Sequence, residues 1–371
     1  MNERLSLSVA LVALGLSGCF GSSTTGSTAP DAGLPATEEA ASPGPEDAGT
    51  PASDDAQAPD GSATSTPDAT TPDAAPQANG AGAGIYVSQA ANQVLVFAPD
   101  ATGNAAPVRT ISGASTGLAL PIGVAVDASG NLYVANRMGA GVTVYPPGAS
   151  GDVAPLRTLA ASGMQAAEGI AIGKDGDVFV STCPSCGNSG GGQVAVFHFP
   201  AGATQSDYSI AGQNTGFSDP GSIALDADQD LVVGNSFGGT VSTFAPGATG
   251  NATPIGSFTP TPTTNLQAIA FADATLFVAT PDGLLSLFSP SATGNAMAAA
   301  TFSSLSVEYP AGVAIDTTTA QPVVYLVDTS GGVIDIIQTT GSAPMFAPGT
   351  VTTIQGTATG LQTPLGIAIV R

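Results

Sequence analysis

Short apolar runs rich in Val, Ile and Ala alternate with turns rich in Gly, Asn, Asp and Pro from residue 84 to residue 371. One run recurs six times: Gly123-Val-Ala-Val-Asp127, Gly169-Ile-Ala-Ile-Gly173, Ser222-Ile-Ala-Leu-Asp226, Ala268-Ile-Ala-Phe-Ala272, Gly312-Val-Ala-Ile-Asp316 and Gly366-Ile-Ala-Ile-Val370. Their first residues lie 46, 53, 46, 44 and 54 positions apart. A recurrence of this length marks radial or stacked repeats. Each unit resolves into four short strands, in the second unit 122–127, 131–136, 142–145 and 156–159. Between them stand residues that accept positive or preset φ. Examples are Asp127-Ala-Ser-Gly130 and Gly148-Ala-Ser-Gly-Asp152, with related turns at 100–104, 247–251 and 291–295. No helical periodicity competes after residue 84.

The two ends of this region do not match its middle. It begins directly with a second-strand sequence, Ile85-Tyr-Val-Ser-Gln89, and finishes with a lone first-strand sequence, Leu365-Gly-Ile-Ala-Ile-Val370. Joined, they complete one unit from both ends of the chain. The expected fold is therefore all-β, a six-bladed β-propeller over 84–371 closed by the C-terminal strand. Closure removes the exposed strand edges that an open stack would carry.

The residues also carry a family resemblance. Pro121-x-Gly-Val-Ala-Val-Asp-x-x-Gly-Asn-Leu-Tyr-Val-Ala-Asn136 resembles an NHL repeat, as do 168–181, 220–235 and, more loosely, 310–328. The resemblance spans essentially all of 84–371. It implies a propeller and says little of activity, because one fold hosts many functions.

Composition divides the rest of the chain. Residues 1–19 read as an export signal with a short apolar stretch, and Leu16-Ser17-Gly18-Cys19 resembles a bacterial lipobox in which Cys19 is lipidated. An ordinary secretory signal is the alternative. Phe20 after the cysteine favours the outer membrane by the same resemblance. Residues 20–83 are rich in Ala, Pro, Thr, Ser, Gly and acidic residues, with no Lys or Arg. Such a segment cannot bury enough apolar surface to offset its ordering entropy, so a disordered tether is expected. The formal net charge is -22, and from Gly84 onward 17 acidic side chains face five basic ones. That balance argues against binding nucleic acid or anionic lipid, leaving the N-terminal lipid as the membrane contact. A monomer is expected.

Several constellations could carry chemistry. Gln89, Asn136, Thr182, Asn235, Thr280 and Asp328 close the second strand of the six units. They either initiate turns through their own backbone or ring a channel mouth for a polar ligand. The loops Gly113-Ala-Ser-Thr-Gly-Leu118, Gly212-Gln-Asn-Thr-Gly-Phe217 and Gly356-Thr-Ala-Thr-Gly-Leu361 share a pattern that reads as structural. Glu168-Gly169 is similar to the start of gluconolactonase-like propellers, where a glutamate binds a divalent cation. Ile170 stands in place of the expected proline, and that family's other ligand motifs are missing. Asp226-Ala-Asp-Gln-Asp230 begins like a calcium loop but lacks its glycine and glutamate, where Leu231 and Phe237 stand. Cys183 and Cys186 read as a small disulfide in an oxidising compartment, with free thiols as the alternative. His198 is the single histidine, and no nucleophile elbow, phosphate loop or Cys-His pair occurs.

The leading functional expectation is a lipid-anchored, extracytoplasmic binding module at the cell envelope, taking a glycan or a protein segment on the face of Asn136, Asn235 and the Cys183 loop. The alternative is a lactonase- or lyase-like enzyme using a divalent cation in the channel. A structural spacer is a third reading.

Overall fold

Each repeated phrase becomes the innermost strand of a sheet. In the computed structural model, which describes residues 82–139, 141–162, 164–182, 191–198, 206–261, 265–303, 306–343 and 345–371, these strands are Pro121–Val126, Ala167–Ile172, Pro220–Leu225, Ala268–Ala272, Pro310–Asp316 and Pro364–Val370. Next outward lie Leu132–Asn136, Val178–Thr182, Leu231–Asn235, Thr275–Thr280, Val323–Asp328 and Gly84–Gln89. Two further strands complete each of six sheets, giving a six-bladed β-propeller. In the second blade the strands are Pro121–Val126, Leu132–Asn136, Gly141–Tyr145 and Arg157–Leu159, within a residue of expectation.

Second strands are buried along nearly their whole length because blades stack face to face, which makes their sequences almost continuously apolar. The core accordingly divides into six clusters, each lying between two neighbouring blades. One joins Ile85, Val87 and Phe97 to Tyr325, Ile334 and Ile354, sealing the first blade to the sixth.

That seal is the expected closure. Gly84–Gln89 pairs antiparallel with Pro364–Val370, from Gly84 opposite Val370 to Gln89 opposite Pro364. Arg371 then clamps the seam: its Nε donates to Asp316 Oδ2 at 2.6 Å, and its other nitrogens reach Tyr325 Oη and the Pro99 carbonyl. The glycine that opens the phrase has a steric cause. A Cβ on Gly123 would overlap the Glu168 carbonyl oxygen, and one on Gly366 the Ile122 carbonyl oxygen. Adjacent inner strands approach too closely for a side chain there.

The fold departs from expectation in two places. The fourth blade has a fifth strand, Gly294–Met297, which pairs parallel with Gly256–Thr261 and comes from the third-to-fourth-strand connection of the next blade. Single parallel bridges do the same at Gly103–Ile354, Ile111–Gly151 and Ile210–Gly250. The ladder covers the outer edge of the fourth blade, and each bridge pairs one position of the edge it meets. The other departure is a single 3-10 turn, Gln213–Thr215, within an inter-blade loop.

These connections also explain two motifs that look separate in sequence. Asp152 Oδ1 accepts the Ser115 N–H at 2.7 Å, Asn251 Oδ1 that of Asn214 at 2.8 Å and Asn104 Oδ1 that of Ala358 at 2.8 Å. The last residue of three of the four Ala-Thr/Ser-Gly-Asn/Asp turns thus caps a Gly-x-x-Thr-Gly loop of the preceding blade, whereas Asn295 of the fourth pairs with Thr259 in the parallel strand. Within the loop, Thr116, Thr215 and Thr359 are buried and donate back to Gly113, Gly212 and Gly356.

Candidate functional site

The six inner strands pack around a channel, and its mouth opens as a cavity of about 250 Å3. One repeated hydrogen bond builds the rim. The Arg137 N–H donates to the Leu120 carbonyl at 3.0 Å, Ser236 to Asp219 at 2.8 Å and Thr329 to Tyr309 at 3.1 Å. In each pair, the residue just past the second strand is tied to the residue just ahead of the inner strand. All six line the cavity. Leu120 and Asp219 hold φ of 49° and 59°, a left-handed backbone that costs a β-carbon residue roughly 1–2 kcal/mol. Asp tolerates this conformation better than Leu does.

Glu168 reaches the same cavity by a bulge. Ala167 pairs with Thr182 and Ile170 with Val180, so Glu168 and Gly169 bulge out of register. Bulges re-aim side chains in this way. Ser181 Oγ stabilises the bulge, accepting the Gly169 N–H at 2.8 Å and donating to the Gly221 carbonyl at 2.5 Å. The Glu168 carboxyl comes to lie over Gly221 beside Ser236: a Cβ on Gly221 would sit 3.3 Å from Glu168 Oε2 and overlap Ser236 Oγ.

The charges there are incompletely matched. Glu168 is 8% exposed and Asp219 2%. Arg137 Nε lies 3.5 Å from Glu168 Oε1, an ion-pair distance without hydrogen-bond alignment. Glu168 Oε1 and Asp219 Oδ1 have no hydrogen-bond partner among the described residues. Burial, and then the negative charge of Asp219, push the Glu168 carboxyl up to about 7, with Arg137 offsetting only part of the rise. Across the mouth the polar groups are satisfied: Gln267 Nε2 donates to Tyr309 Oη at 3.3 Å and Thr329 Oγ1 to the Pro364 carbonyl at 3.0 Å. Below the rim the wall is apolar, with Ile122, Ile170, Ile223, Ile269 and Ile367.

The six residues that close the second strands lie elsewhere. Gln89, Asn136, Thr182, Asn235, Thr280 and Asp328 are all buried, and none of them lines the cavity. Asn136 Oδ1 accepts the Ala119 N–H at 3.0 Å, and Asn235 Oδ1 that of Ser218 at 2.9 Å. Gln89 bonds Gln362 and Gly360, and Asp328 accepts the N–H groups of Glu308 and Tyr309. Thr280 Oγ1 bonds Asp282 and Leu284. Gln89, Asn136, Asn235 and Asp328 hold inter-blade loops, and Thr280 holds the turn to its own third strand; the residues one position onward, Arg137, Ser236 and Thr329, line the cavity.

The remaining candidates divide. Asp226 Oδ1 accepts the N–H groups of Asp228 and Asp230, both at 2.9 Å, as Asp127 does for Ser129 and Asn131, so the calcium-like stretch is a hairpin turn. His198 pairs with Asp177 away from the cavity. Cys19, Cys183 and Cys186 lie outside the described residues. For a divalent cation at Glu168 the donor set does not fit. Hard dications need several converging oxygens. Among the described residues no three His, Cys, Asp or Glu side chains converge, and Arg137 occupies the carboxylate's side.

Sequence reasoning missed Arg137, Asp219, Gln267 and Tyr309. The available signal was charge: Arg137 is one of five basic residues after residue 83.

No family model and no curated protein matches the chain. Among solved structures, a chain of the nidogen/laminin complex superposes with a TM-score of 0.51 at 13% identity, over 77% of this chain and 97% of that one. A protein described as a gluconolactonase gives 0.49 at 14% identity, over 66% and 81%. Catalytically inactive virginiamycin B lyase from Staphylococcus aureus gives 0.47 at 13%, over 73% and 85%. At these identities the likeness is one of fold.

Proposed function

We propose that this chain is a lipid-anchored, extracytoplasmic binding module of NHL-repeat type at the cell envelope, with its ligand seated at the channel mouth. The lipobox-like stretch ending at Cys19 and the Pro- and Ala-rich residues 20–83 support the anchor and tether. The observation that carries the binding site is the pair of buried carboxylates whose oxygens Glu168 Oε1 and Asp219 Oδ1 lack hydrogen-bond partners among the described residues inside one cavity. Buried polar groups are ordinarily satisfied, so exceptions call for an explanation, and a bound partner in the cavity supplies one here. At about 250 Å3 the cavity is below the roughly 300–1,000 Å3 of sites that enclose a whole small-molecule ligand. It takes one end of a glycan or protein segment.

Arrays of glycans and peptides probed with the full chain and with Gly221→Val test this reading. The added side chain fills the mouth between Glu168 and Ser236. A ligand captured by the wild type and lost by the variant, at unchanged melting temperature, supports the site. A ligand held equally by both places binding elsewhere.

The enzyme reading draws on one observation: a Glu168 carboxyl near 7 suits proton transfer at neutral pH. Elemental analysis of the purified chain and of Glu168→Gln checks whether a stoichiometric metal accompanies it.

A further inference from the structure

We infer that the channel mouth receives a protonated primary amine, with Asp219 Oδ1 as its charged acceptor; this rests on the reading of the hub as a binding site. The argument begins with charge. Two carboxylates and one guanidinium meet in the cavity, and the guanidinium of Arg137 faces Glu168. Asp219, 2% exposed, is left without a hydrogen bond on Oδ1. An anionic ligand would add a third negative charge to a buried site. A neutral hydroxyl would satisfy the orphan oxygen and leave the excess charge uncompensated, which burial makes costly. A single positive charge balances the site.

The chemistry of the acceptors narrows the cation. A dication needs more oxygens than converge among the described residues. An ammonium carries one charge and three donors, and needs only separate acceptors within reach. Asp219 Oδ1, which has no hydrogen bond among the described residues, supplies the charged member of that set. Gly221, lacking a side chain, lets Ser236 Oγ and the Glu168 carboxyl approach the floor of the mouth closely. The isoleucine wall below the rim accommodates the carbons that carry it. The upward displacement of the Glu168 carboxyl to about 7, caused by burial and by Asp219, is what a site awaiting a cation shows. An amino sugar or a peptide amine presents the same head group.

The test is isothermal titration of the full chain with glucosamine against N-acetylglucosamine, with a lysine peptide against its acetylated form, and with potassium chloride. The expected result is that at least one free amine binds about tenfold or more tightly than its acetylated form, the effect of one charge-assisted hydrogen bond. Which arm responds tells the sugar from the peptide source. Asp219→Asn keeps the shape, because Asn also accepts the left-handed backbone, and should weaken amine binding by a similar factor. Gly221→Val should abolish it. Acetylated and free forms that bind equally, and are both lost in Gly221→Val, overturn the amine and leave the hub as a binding site. Potassium binding as tightly as the amines likewise overturns it. Binding indifferent to Gly221→Val, or none at all, overturns the amine together with the hub.

Discussion

The Arg371–Asp316 and Arg137–Glu168 pairs behave oppositely. At the seam, Arg371 meets Asp316 at 2.6 Å, and Asp316 also accepts the Thr318 N–H at 2.8 Å and its hydroxyl at 2.6 Å. Burial raises the Asp316 carboxyl, but the bonds from Thr318 and Arg371 outweigh it and hold the group below the usual range. At the mouth, Arg137 stands 3.5 Å from Glu168, no hydrogen bond reaches Oε1, and Asp219 adds its own charge. There the carboxyl rises to about 7. The same residue types thus give a fully bonded clamp in one place and an incompletely bonded pair in the other. Completeness of hydrogen bonding distinguishes them, and it marks which pair serves the fold.

The sharpest way to break the comparison is to remove the seam. Deleting residues 365–371 takes away the closing strand and Arg371, and should consume most of a fold's usual margin of about 5–15 kcal/mol. Thermal melting checks it; a truncated chain that melts like the intact one would overturn the closed ring.

Relieving the mouth should act the other way. An ionised Glu168 carries a penalty on the order of 3 kcal/mol, from a carboxyl displaced from 4.5 to about 7. Because its folded value lies above its unfolded one, that penalty sets in as pH rises past about 4.5 and is complete above about 7. Glu168→Gln should therefore stabilise the chain by up to about 3 kcal/mol at pH 8 and gain little at pH 4, read by denaturant midpoints at both values. Equal gains at both would assign the effect to packing.

Opening the seam clamp while leaving the strand should cost less. Arg371→Ala removes charged hydrogen bonds to a buried carboxylate, about 2–3 kcal/mol at neutral pH. The Asp316 contribution is present above its unfolded value and is lost as pH falls through its depressed folded value. The variant's deficit should shrink in strong acid, as acid-unfolding curves would show. The smallest effect is expected at the inter-blade caps. Asn104→Ala should cost about 1 kcal/mol, and loss of much more would show that the cap also supports the seam.

The repeat, the strands and the closure were legible because strand pattern and turn chemistry are local, and because the unmatched ends at Ile85 and Leu365 needed each other. The mouth was only half legible. Asn136 and Arg137 are adjacent, and alternation sends one side chain into the loop and the other to the channel. A repeat pattern does not say which. Asn is a turn residue in either case, so it drew attention that belonged to Arg137. Asp219 looked like an ordinary residue ahead of a proline. Its importance comes from facing Glu168 across a blade boundary, 51 residues away in sequence. The caps from Asn104, Asp152 and Asn251 were visible as motifs, but their partnership depends on a connection climbing the neighbouring blade.

The place where the chain enters the ring has a mechanical consequence. Gly84–Gln89 is flanked on both sides, by Pro364–Val370 and by Gln93–Phe97. Tension applied through the N-terminal side of residue 84 would drag this strand lengthwise between two ladders, loading their bonds together in shear. A strand at a free margin would instead peel away one bond at a time.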